Sequence, residues 1–265
     1  MSKNIVLYSP GIDSFLLRIY LEKIEKLKNI KYIYFDIKSK YSEVEKIYLE
    51  KQKKYYNLNL KIVDNFFNFK EIEEPSAYIE FRNLYLLMGA TKFGNNIFFT
   101  STLSDDVIDV DPNNLRKFIK ILNFFTDKKI KIFFPLSNKY KCELLKFFIE
   151  NNYISINEVL EFTFSCYSPF DKEKQYIAFE NLSNPRLFKS YECHSCRACL
   201  RKAIVLNWSN YFIKTNENYQ IPDKYFVNAE KTKLFNDNKR YQAIKKYLID
   251  LKEFCQRNDK NGNKN

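Results

Sequence analysis

Short apolar runs alternate with longer amphipathic stretches as far as residue 150. Short apolar runs between turn residues are typical of buried strands, and apolar positions three and four apart are typical of helices. The pattern predicts strands at residues 4–8, 32–35, 60–63, 97–100 and 131–134, and helices from Asp13 to about Ile24 and at 43–55, 79–92, 113–125 and 139–150. This alternation predicts an α/β fold, an open parallel sheet with helices on both faces.

The pattern changes beyond Ile154. From there to about Asn207 the sequence reads as irregular and carries four cysteines, and one helix is expected at residues 239–254. Residues 257–265 contain no apolar side chain, which is typical of a disordered tail. We therefore expect a nucleotide-binding α/β domain at 1–153, a metal-binding and helical region at 154–256, and a disordered tail at 257–265.

Composition narrows the class of protein. With 265 residues, 45% of them hydrophobic, the chain can bury a sizeable core, so a disordered or fibrous protein is excluded. The sequence contains no apolar run of membrane-spanning length, and its first residues read as a strand, not a signal peptide, so we expect a cytoplasmic protein without a membrane partner. The net charge of +12 comes from lysines spread along the chain, which favours compositional drift over a nucleic-acid surface.

Residues 9–14 (Ser-Pro-Gly-Ile-Asp-Ser) join the first predicted strand to the first predicted helix. Backbone N–H groups and the positive end of the helix dipole converge at such a junction, so an anion is expected there. Ser9 and Ser14 can add donors, and Gly11 allows a tight turn against a phosphate. A Ser-Pro-Gly turn followed by an ordinary helix cap is the alternative.

Two further groups of polar residues carry candidate chemistry. Arg82 and Asn83 lie at a predicted helix start, where they could bind a phosphate or simply cap the helix. Asp105, Asp106 and Asp109 follow a strand end, where ligands of open parallel sheets usually lie. These acids suit hydrogen bonds to a purine-like ring or a magnesium ion, and a solvated loop is equally compatible with the sequence.

Four cysteines have metal-ligand spacing. Cys193, Cys196 and Cys199 form two consecutive C-x-x-C pairs, and Cys166 supplies a fourth thiol. Four thiolates around one centre are typical of a closed, structural zinc site. An iron–sulfur cluster is the other metal compatible with four cysteines. Neighbouring His194 is a substitute ligand in principle, and Cys142 and Cys255 are interpreted as packing residues.

Together these motifs resemble, in collinear order from about Asn4 to Arg201, the 7-cyano-7-deazaguanine synthase (QueC) family of PP-loop ATP pyrophosphatases. Residues 9–14 resemble the family's SGGxDS loop, 78–83 its Y-V-P-A-R-N segment, 135–143 its P-L-x(n)-T-K-x-E stretch, and 163–167 with 193–199 its T-W-S-C-Y and C-x-x-C-x-x-C segments. The departures from the family pattern are Pro10 for the first loop glycine, Glu80 and Phe81 for Pro-Ala, Tyr140 for threonine and Phe164 for tryptophan.

The resemblance implies site residues. Arg82, Lys141 and Asp13 would be catalytic, and Cys166, Cys193, Cys196 and Cys199 would hold Zn²⁺. ATP with Mg²⁺ would be bound by Tyr8, Ser9, Pro10, Gly11, Ile12, Asp13, Ser14, Phe35, Asp36, Arg82 and Asn83. The substrate would contact Asp105, Asp106, Asp109 and Arg201.

The resemblance also implies a reaction, in which 7-carboxy-7-deazaguanine and ammonia give 7-cyano-7-deazaguanine through an acyl adenylate and an amide, with arrest at the amide as a variant. Family members are often dimers, which favours a homodimer. Two rivals stay open: a PP-loop enzyme that thiolates tRNA or forms lysidine in it, and a non-enzymatic binding protein stabilised by zinc. No Ser-His or Cys-His arrangement supports a hydrolytic triad.

Overall fold

The computed structural model describes residues 4–75, 77–105, 108–180, 184–194, 196–208 and 211–215, together with 245, 246 and 249. The expected tail at 257–265, Cys255 and most of the helix expected at 239–254 lie outside these residues.

A five-stranded parallel sheet forms the centre of the fold. Its strands are β1 (Asn4–Leu7), β2 (Ile30–Phe35), β3 (Leu60–Val63), β4 (Asn96–Phe98) and β5 (Lys131–Phe133), in the spatial order β3-β2-β1-β4-β5. The helices between them are α1 (Ile12–Ile19, continued by one π-helical turn, Tyr20–Ile24), α2 (Ser42–Tyr56), α3 (Arg82–Ala90), α4 (Pro112–Phe124) and α5 (Lys141–Glu150). The predicted α/β class is confirmed.

Helices cover both faces of the sheet, as the run of apolar residues in the central strand requires. Val6 and Tyr8 point into a core shared with α1 and α5, whereas Ile5 and Leu7 point into a second core against α3 and α4. Because side chains alternate along a strand, the consecutive apolar residues Ile5, Val6 and Leu7 of β1 bury both faces.

Helix α3 begins three residues later than its periodicity predicts. Phe81 has φ 57° and Ala77 has φ 64°, and a left-handed backbone cannot continue a right-handed helix. The helix therefore starts at Arg82, and Asn83 lies in its first turn.

The segment after residue 154 contains more regular structure than its sequence pattern predicts. Helix α6 (Ile156–Phe162) leads to a β-hairpin of β6 (Lys174–Glu180) and β7 (Asn184–Ser190), followed by α7 (Arg197–Trp208) and β8 (Tyr211–Thr215). The three strands form an antiparallel sheet in the order β7-β6-β8.

These later elements share a core with the central sheet. Val159 and Phe162 of α6, Tyr176 of β6 and Leu206 of α7 are buried in the same cluster as Val6. The division expected at residue 153 stays a prediction, since side chains from both sides of it pack into one core. Within the described part of the chain, no helix has the length and apolar character needed to span a membrane.

Candidate functional site

A cavity of about 710 Å³ opens at the carboxyl ends of β1, β2 and β4. Strand order reverses its direction between β1 and β4, and ligands of open α/β sheets bind at such a switch point. The wall combines the β1–α1 loop, the first turns of α2, α3 and α5, residues 164–167 and one side of α7. Its volume suits a nucleotide-sized ligand.

The β1–α1 loop is ordered by its own serines. The amide of Ser9 donates to Ser14 Oγ at 3.2 Å, the two hydroxyl oxygens lie 3.1 Å apart, and the amide of Gly11 donates to Ser9 Oγ at 3.4 Å. No side chain caps the start of α1, whose first amides have no intrahelical acceptor. The amides of residues 12–14 are thus the free donors of the loop, the arrangement expected for an anion.

Gly11 is needed for space and not for an unusual backbone conformation. Its dihedral angles, φ −62° and ψ 153°, are open to any residue. A Cβ atom at Gly11 would lie 3.3 Å from Ser9 Oγ and 3.8 Å from the carbonyl oxygen of Phe164. A larger residue would therefore press on the serine that orders the loop.

Lys141 joins two of the predicted acids at the floor of the cavity. Its Nζ lies 2.9 Å from Asp13 Oδ2 and 2.8 Å from Asp105 Oδ1. Asp105 Oδ2 also accepts hydrogen bonds from the amide and the hydroxyl of Thr102, both at 2.9 Å. Asp13 and Lys141, 128 positions apart in sequence, thus form one cluster with Asp105 beside the loop.

The pKa values in this cluster follow from burial and pairing. Burial raises the pKa of Asp13 despite the opposing effect of the Lys141 ammonium. Burial also acts to raise the pKa of Asp105, but Lys141 and the Thr102 donors outweigh it, so this pKa is lowered. For Lys141, burial lowers the pKa and the two carboxylates more than reverse this, so the side chain stays a cation.

The Arg82–Asn83 pair is held at the cavity by its neighbours. Arg82 Nη1 donates to the Tyr41 hydroxyl at 3.4 Å, and both residues line the cavity. Asn83 Nδ2 donates to Asp109 Oδ2 at 2.9 Å, while Asp109 itself does not reach the wall. Direct contact between Asp109 and a substrate stays a prediction, and in the structure this acid holds Asn83.

Other predicted residues divide between the wall and its surroundings. Tyr8, Phe35 and Arg201 line the cavity. Asp36 does not, because its buried carboxylate is engaged by Lys38 at 2.7 Å and Lys46 at 3.1 Å. Asp106 lies outside the described residues.

Glu45, in the first turn of α2, is a wall residue that sequence reasoning missed. Tyr34, also in the wall, donates its hydroxyl to Glu45 Oε2 at 2.6 Å. Burial raises the pKa of Glu45 to about 7, against opposing contributions from Tyr34 and Arg82. Only its position in the sequence could have identified Glu45, since α2 follows the carboxyl end of β2, where ligands of such sheets lie.

The four predicted metal ligands converge beside the cavity. The Sγ atoms of Cys166, Cys193, Cys196 and Cys199 all lie within 4.8 Å of one another, and those of Cys166 and Cys196 lie 3.9 Å apart. Tetrahedral zinc with Zn–S bonds of about 2.3 Å separates its sulfurs by about 3.8 Å, so the four thiols fit such an ion. Cys166 also lines the cavity, so the cysteine cluster and the β1–α1 loop belong to the same wall.

Backbone donors surround the sulfurs, as expected for thiolates. The amides of Ser168 and Cys193 donate to Cys166 Sγ at 3.2 and 3.3 Å, and the amide of Tyr167 donates to Cys196 Sγ at 3.5 Å. Hydrogen bonds to sulfur stabilise its charged form. His194 is not among the converging ligands, since its buried ring packs against Tyr176 with centroids 4.7 Å apart.

A buried ion pair joins the two halves of the cysteine site. Lys202 Nζ lies 2.9 Å from Glu192 Oε2, with both side chains 2% exposed, and also donates to the carbonyl oxygen of Thr163 at 2.8 Å. Glu192 Oε1 accepts from the amide of Ser165 at 2.6 Å. The chain before Cys166, the residue before Cys193 and the helix after Cys199 are thereby fixed to one another.

Comparison with known families accounts for this arrangement. A family model described as "Queuosine biosynthesis protein QueC" matches residues 67–208, more than half of the 265 residues, whereas no curated protein matches the chain. The matched segment contains Arg82, Lys141 and the four cysteines, and the β1–α1 loop precedes it. The chain therefore belongs to the QueC family of queuosine biosynthesis proteins.

Proposed function

We propose that the chain is an ATP-dependent C–N ligase that converts 7-carboxy-7-deazaguanine and ammonia to 7-cyano-7-deazaguanine. Membership of the QueC family implies ATP use and a small-molecule substrate. The observation that carries the proposal is the cavity in which the β1–α1 loop, the Lys141 cluster and the cysteine cluster share one wall. The cytoplasmic location and the homodimer stay predictions.

The reaction consists of two activations. The substrate carboxylate oxygen attacks the α-phosphorus of ATP and pyrophosphate leaves, giving an acyl adenylate. Ammonia attacks the acyl carbon and AMP leaves, giving the amide after loss of a proton. The amide oxygen then attacks the α-phosphorus of a second ATP and pyrophosphate leaves. Departure of AMP with loss of the two N–H protons gives the nitrile.

The protein would contribute position and charge. The amides at the start of α1 would hold the phosphates, and Lys141, fixed between Asp13 and Asp105, would face the pyrophosphate. Arg82 would stabilise charge that develops at the α-phosphorus, and Arg201 on α7 would contact the substrate carboxylate. The wall built by residues 164–167 would keep water from the adenylate.

Two metals are proposed with separate tasks. Asp13 Oδ1 is buried and lacks a hydrogen-bond partner among the described residues, so it fits an ion that accompanies the phosphates. Mg²⁺ bound with ATP would neutralise phosphate charge there. The four cysteines would hold Zn²⁺, which would stabilise the fold of the wall and take no part in the reaction.

Product analysis tests the proposal. Purified protein is incubated with ATP, magnesium, ammonium and 7-carboxy-7-deazaguanine, and products are weighed by mass spectrometry while AMP is counted. We expect the nitrile with two AMP per base, and arrest at the amide would give one. Base-dependent exchange of pyrophosphate into ATP without ammonium isolates the first activation, and its absence would contradict the proposal.

A further inference from the structure

The cavity has a second polar end, formed where β2 leads into α2. Glu45 and Tyr34 line it, and the Tyr34 hydroxyl donates a hydrogen bond to Glu45 Oε2. No hydrogen bond from the described residues reaches Glu45 Oε1. A carboxylate oxygen accepts more than one hydrogen bond, so Glu45 keeps acceptor capacity for a ligand while Tyr34 fixes its orientation.

Aromatic rings and a cation surround this carboxylate. Tyr41 and Tyr167 both line the cavity, with ring centroids 5.7 Å apart and planes inclined by 37°. Arg82, which donates to the Tyr41 hydroxyl, is near enough to oppose the burial effect on Glu45. A partly buried carboxylate among aromatic side chains suits a flat heterocycle that presents N–H donors on its edge.

The other acids expected to contact the base are already engaged. Both carboxylate oxygens of Asp105 are bonded to Lys141 and Thr102. Asp109 binds Asn83 and does not line the cavity. Asp13 also has an oxygen without a hydrogen-bond partner, but this acid lies in the β1–α1 loop beside Lys141 and not at the β2–α2 end of the cavity.

We propose that Glu45 is the specificity-determining residue that accepts hydrogen bonds from the N1–H and the 2-amino group of a guanine-type base. An ionised carboxylate matches two neighbouring donors, whereas adenine presents a ring-nitrogen acceptor beside its single amino donor. The assignment rests on the proposed function for the identity of the substrate, and it places the base at the β2–α2 end of the cavity.

A comparison of two ligands and two proteins tests the assignment. The affinity for 7-carboxy-7-deazaguanine and for its analogue without the 2-amino group is measured by calorimetry, without ATP, for the wild-type protein and for Glu45→Gln. We expect the wild type to prefer the parent base roughly 10- to 100-fold, as for a hydrogen bond to a charged group, and Glu45→Gln to lose most of this preference. ATP affinity should be unchanged in the variant.

Glu43→Gln is the matched control. Glu43 lies two residues before Glu45, 82% exposed and paired with Lys46, so this variant should keep the full preference. Tyr34→Phe removes the hydroxyl that orients Glu45 and should lower the preference to an intermediate value. It provides a second measurement should Glu45→Gln fold poorly, which circular dichroism and thermal unfolding would reveal.

The outcomes separate this assignment from the proposed reaction. The assignment is overturned if Glu45→Gln keeps the preference for the parent base. It is also overturned if the variant binds ATP more weakly and binds the base as the wild type does, and adenine then occupies this end of the cavity. A wild-type protein that binds neither base also overturns it. Selective base binding that depends on Glu45, in a protein that activates no carboxylate, would support the assignment and refute the reaction.

Discussion

The amide of Phe164 donates a hydrogen bond to the carbonyl oxygen of Pro10 at 3.0 Å. Phe164 lies two residues before Cys166, one of the four proposed metal ligands, and Pro10 lies in the β1–α1 loop. The departure from the family's first loop glycine thus removes an N–H donor but keeps the carbonyl that joins the loop to the cysteine segment. The β1–α1 loop and the cysteine segment are therefore linked through this backbone hydrogen bond.

Removal of the metal should weaken ATP binding because of this link. Zinc released by a chelator would leave the thiolates of Cys166 and its partners repelling one another, and residues 163–167 would lose their position against Pro10. We expect ATP affinity to fall roughly 5- to 100-fold, the usual range of coupling between sites. Calorimetric ATP titration before and after chelation measures the change.

Metal content provides the control for that experiment. Elemental analysis should find one zinc per chain, and Cys142→Ser should retain it because Cys142 is not part of the four-sulfur cluster. Cys166→Ser should lower the zinc content. Unchanged ATP affinity in the metal-free protein would show that the Phe164–Pro10 contact does not need the ion.

Lys141→Gln should reduce the rate of base-dependent pyrophosphate exchange by about 10²- to 10³-fold, as for the loss of one group that stabilises transition-state charge. The variant also leaves Asp13 and Asp105 facing each other without the ammonium. Exposed Lys139, two residues earlier, supplies the matched control Lys139→Gln, whose rate should stay at the wild-type value. A Lys141→Gln rate within a few-fold of the wild type would remove this residue from the proposed chemistry.

The buried and the exposed ion pairs should differ in their effect on stability. Lys202→Met leaves Glu192 buried without its cation, and we expect a loss of about 3–5 kcal/mol in the free energy of unfolding. Lys51→Met breaks an exposed pair with Glu173, 3.4 Å long, and should cost less than about 1 kcal/mol. Urea unfolding of the metal-loaded proteins measures the loss in the free energy of unfolding for both variants. Equal losses would show that the buried ion pair stabilises the fold no more than the exposed pair does.

Stability should depend on pH through Glu45. Its pKa is about 7 in the folded protein, raised by burial and by Asp36 and Glu73 against Tyr34 and Arg82, whereas an unfolded Glu titrates near its usual value of 4.5. As the pH rises, Glu45 therefore ionises first in the unfolded state. The resulting loss in the free energy of unfolding grows from pH 4.5 to 7 and is complete above pH 7.

Glu45→Gln should remove this pH-dependent loss in the free energy of unfolding. Its melting temperature should exceed that of the wild type at pH 8, and the difference should shrink as the pH falls towards 4.5. Thermal unfolding across this range checks the sign, and Glu43→Gln should show no comparable trend. A variant less stable than the wild type at pH 8 would contradict the expected desolvation of Glu45.

Much of the framework was predictable from local patterns. The parallel strands lie within about two residues of the predicted ranges, since each is a short apolar run that must be buried in a sheet with two covered faces. The sequence order of a strand, a loop with Ser9 and Gly11, and a helix predicted the loop that lines the cavity, and anion binding there stays a prediction. The C-x-x-C spacing brought Cys193, Cys196 and Cys199 together without knowledge of the fold.

Elements set by long-range contacts were less predictable. The β6–β7 hairpin was missed because one side of it is solvent-exposed, and this hairpin returns the chain from Cys166 to Cys193 across 27 positions. Helix α3 starts later than predicted because the backbone of Phe81 is left-handed, which the spacing of apolar residues does not reveal.

The sequence by itself determined the fold class, the loop between the first strand and helix, and the group of four thiols, because strand burial, helix capping and cysteine spacing act over a few neighbouring residues. Only the tertiary structure decided which carboxylates are occupied and which keep acceptor capacity. Asp105 is engaged by Lys141 and Asp109 by Asn83, whereas Glu45 faces the cavity. Those partners come from distant segments that the folded sheet brings to one edge, and a carboxylate's chemistry depends on the partner it meets there.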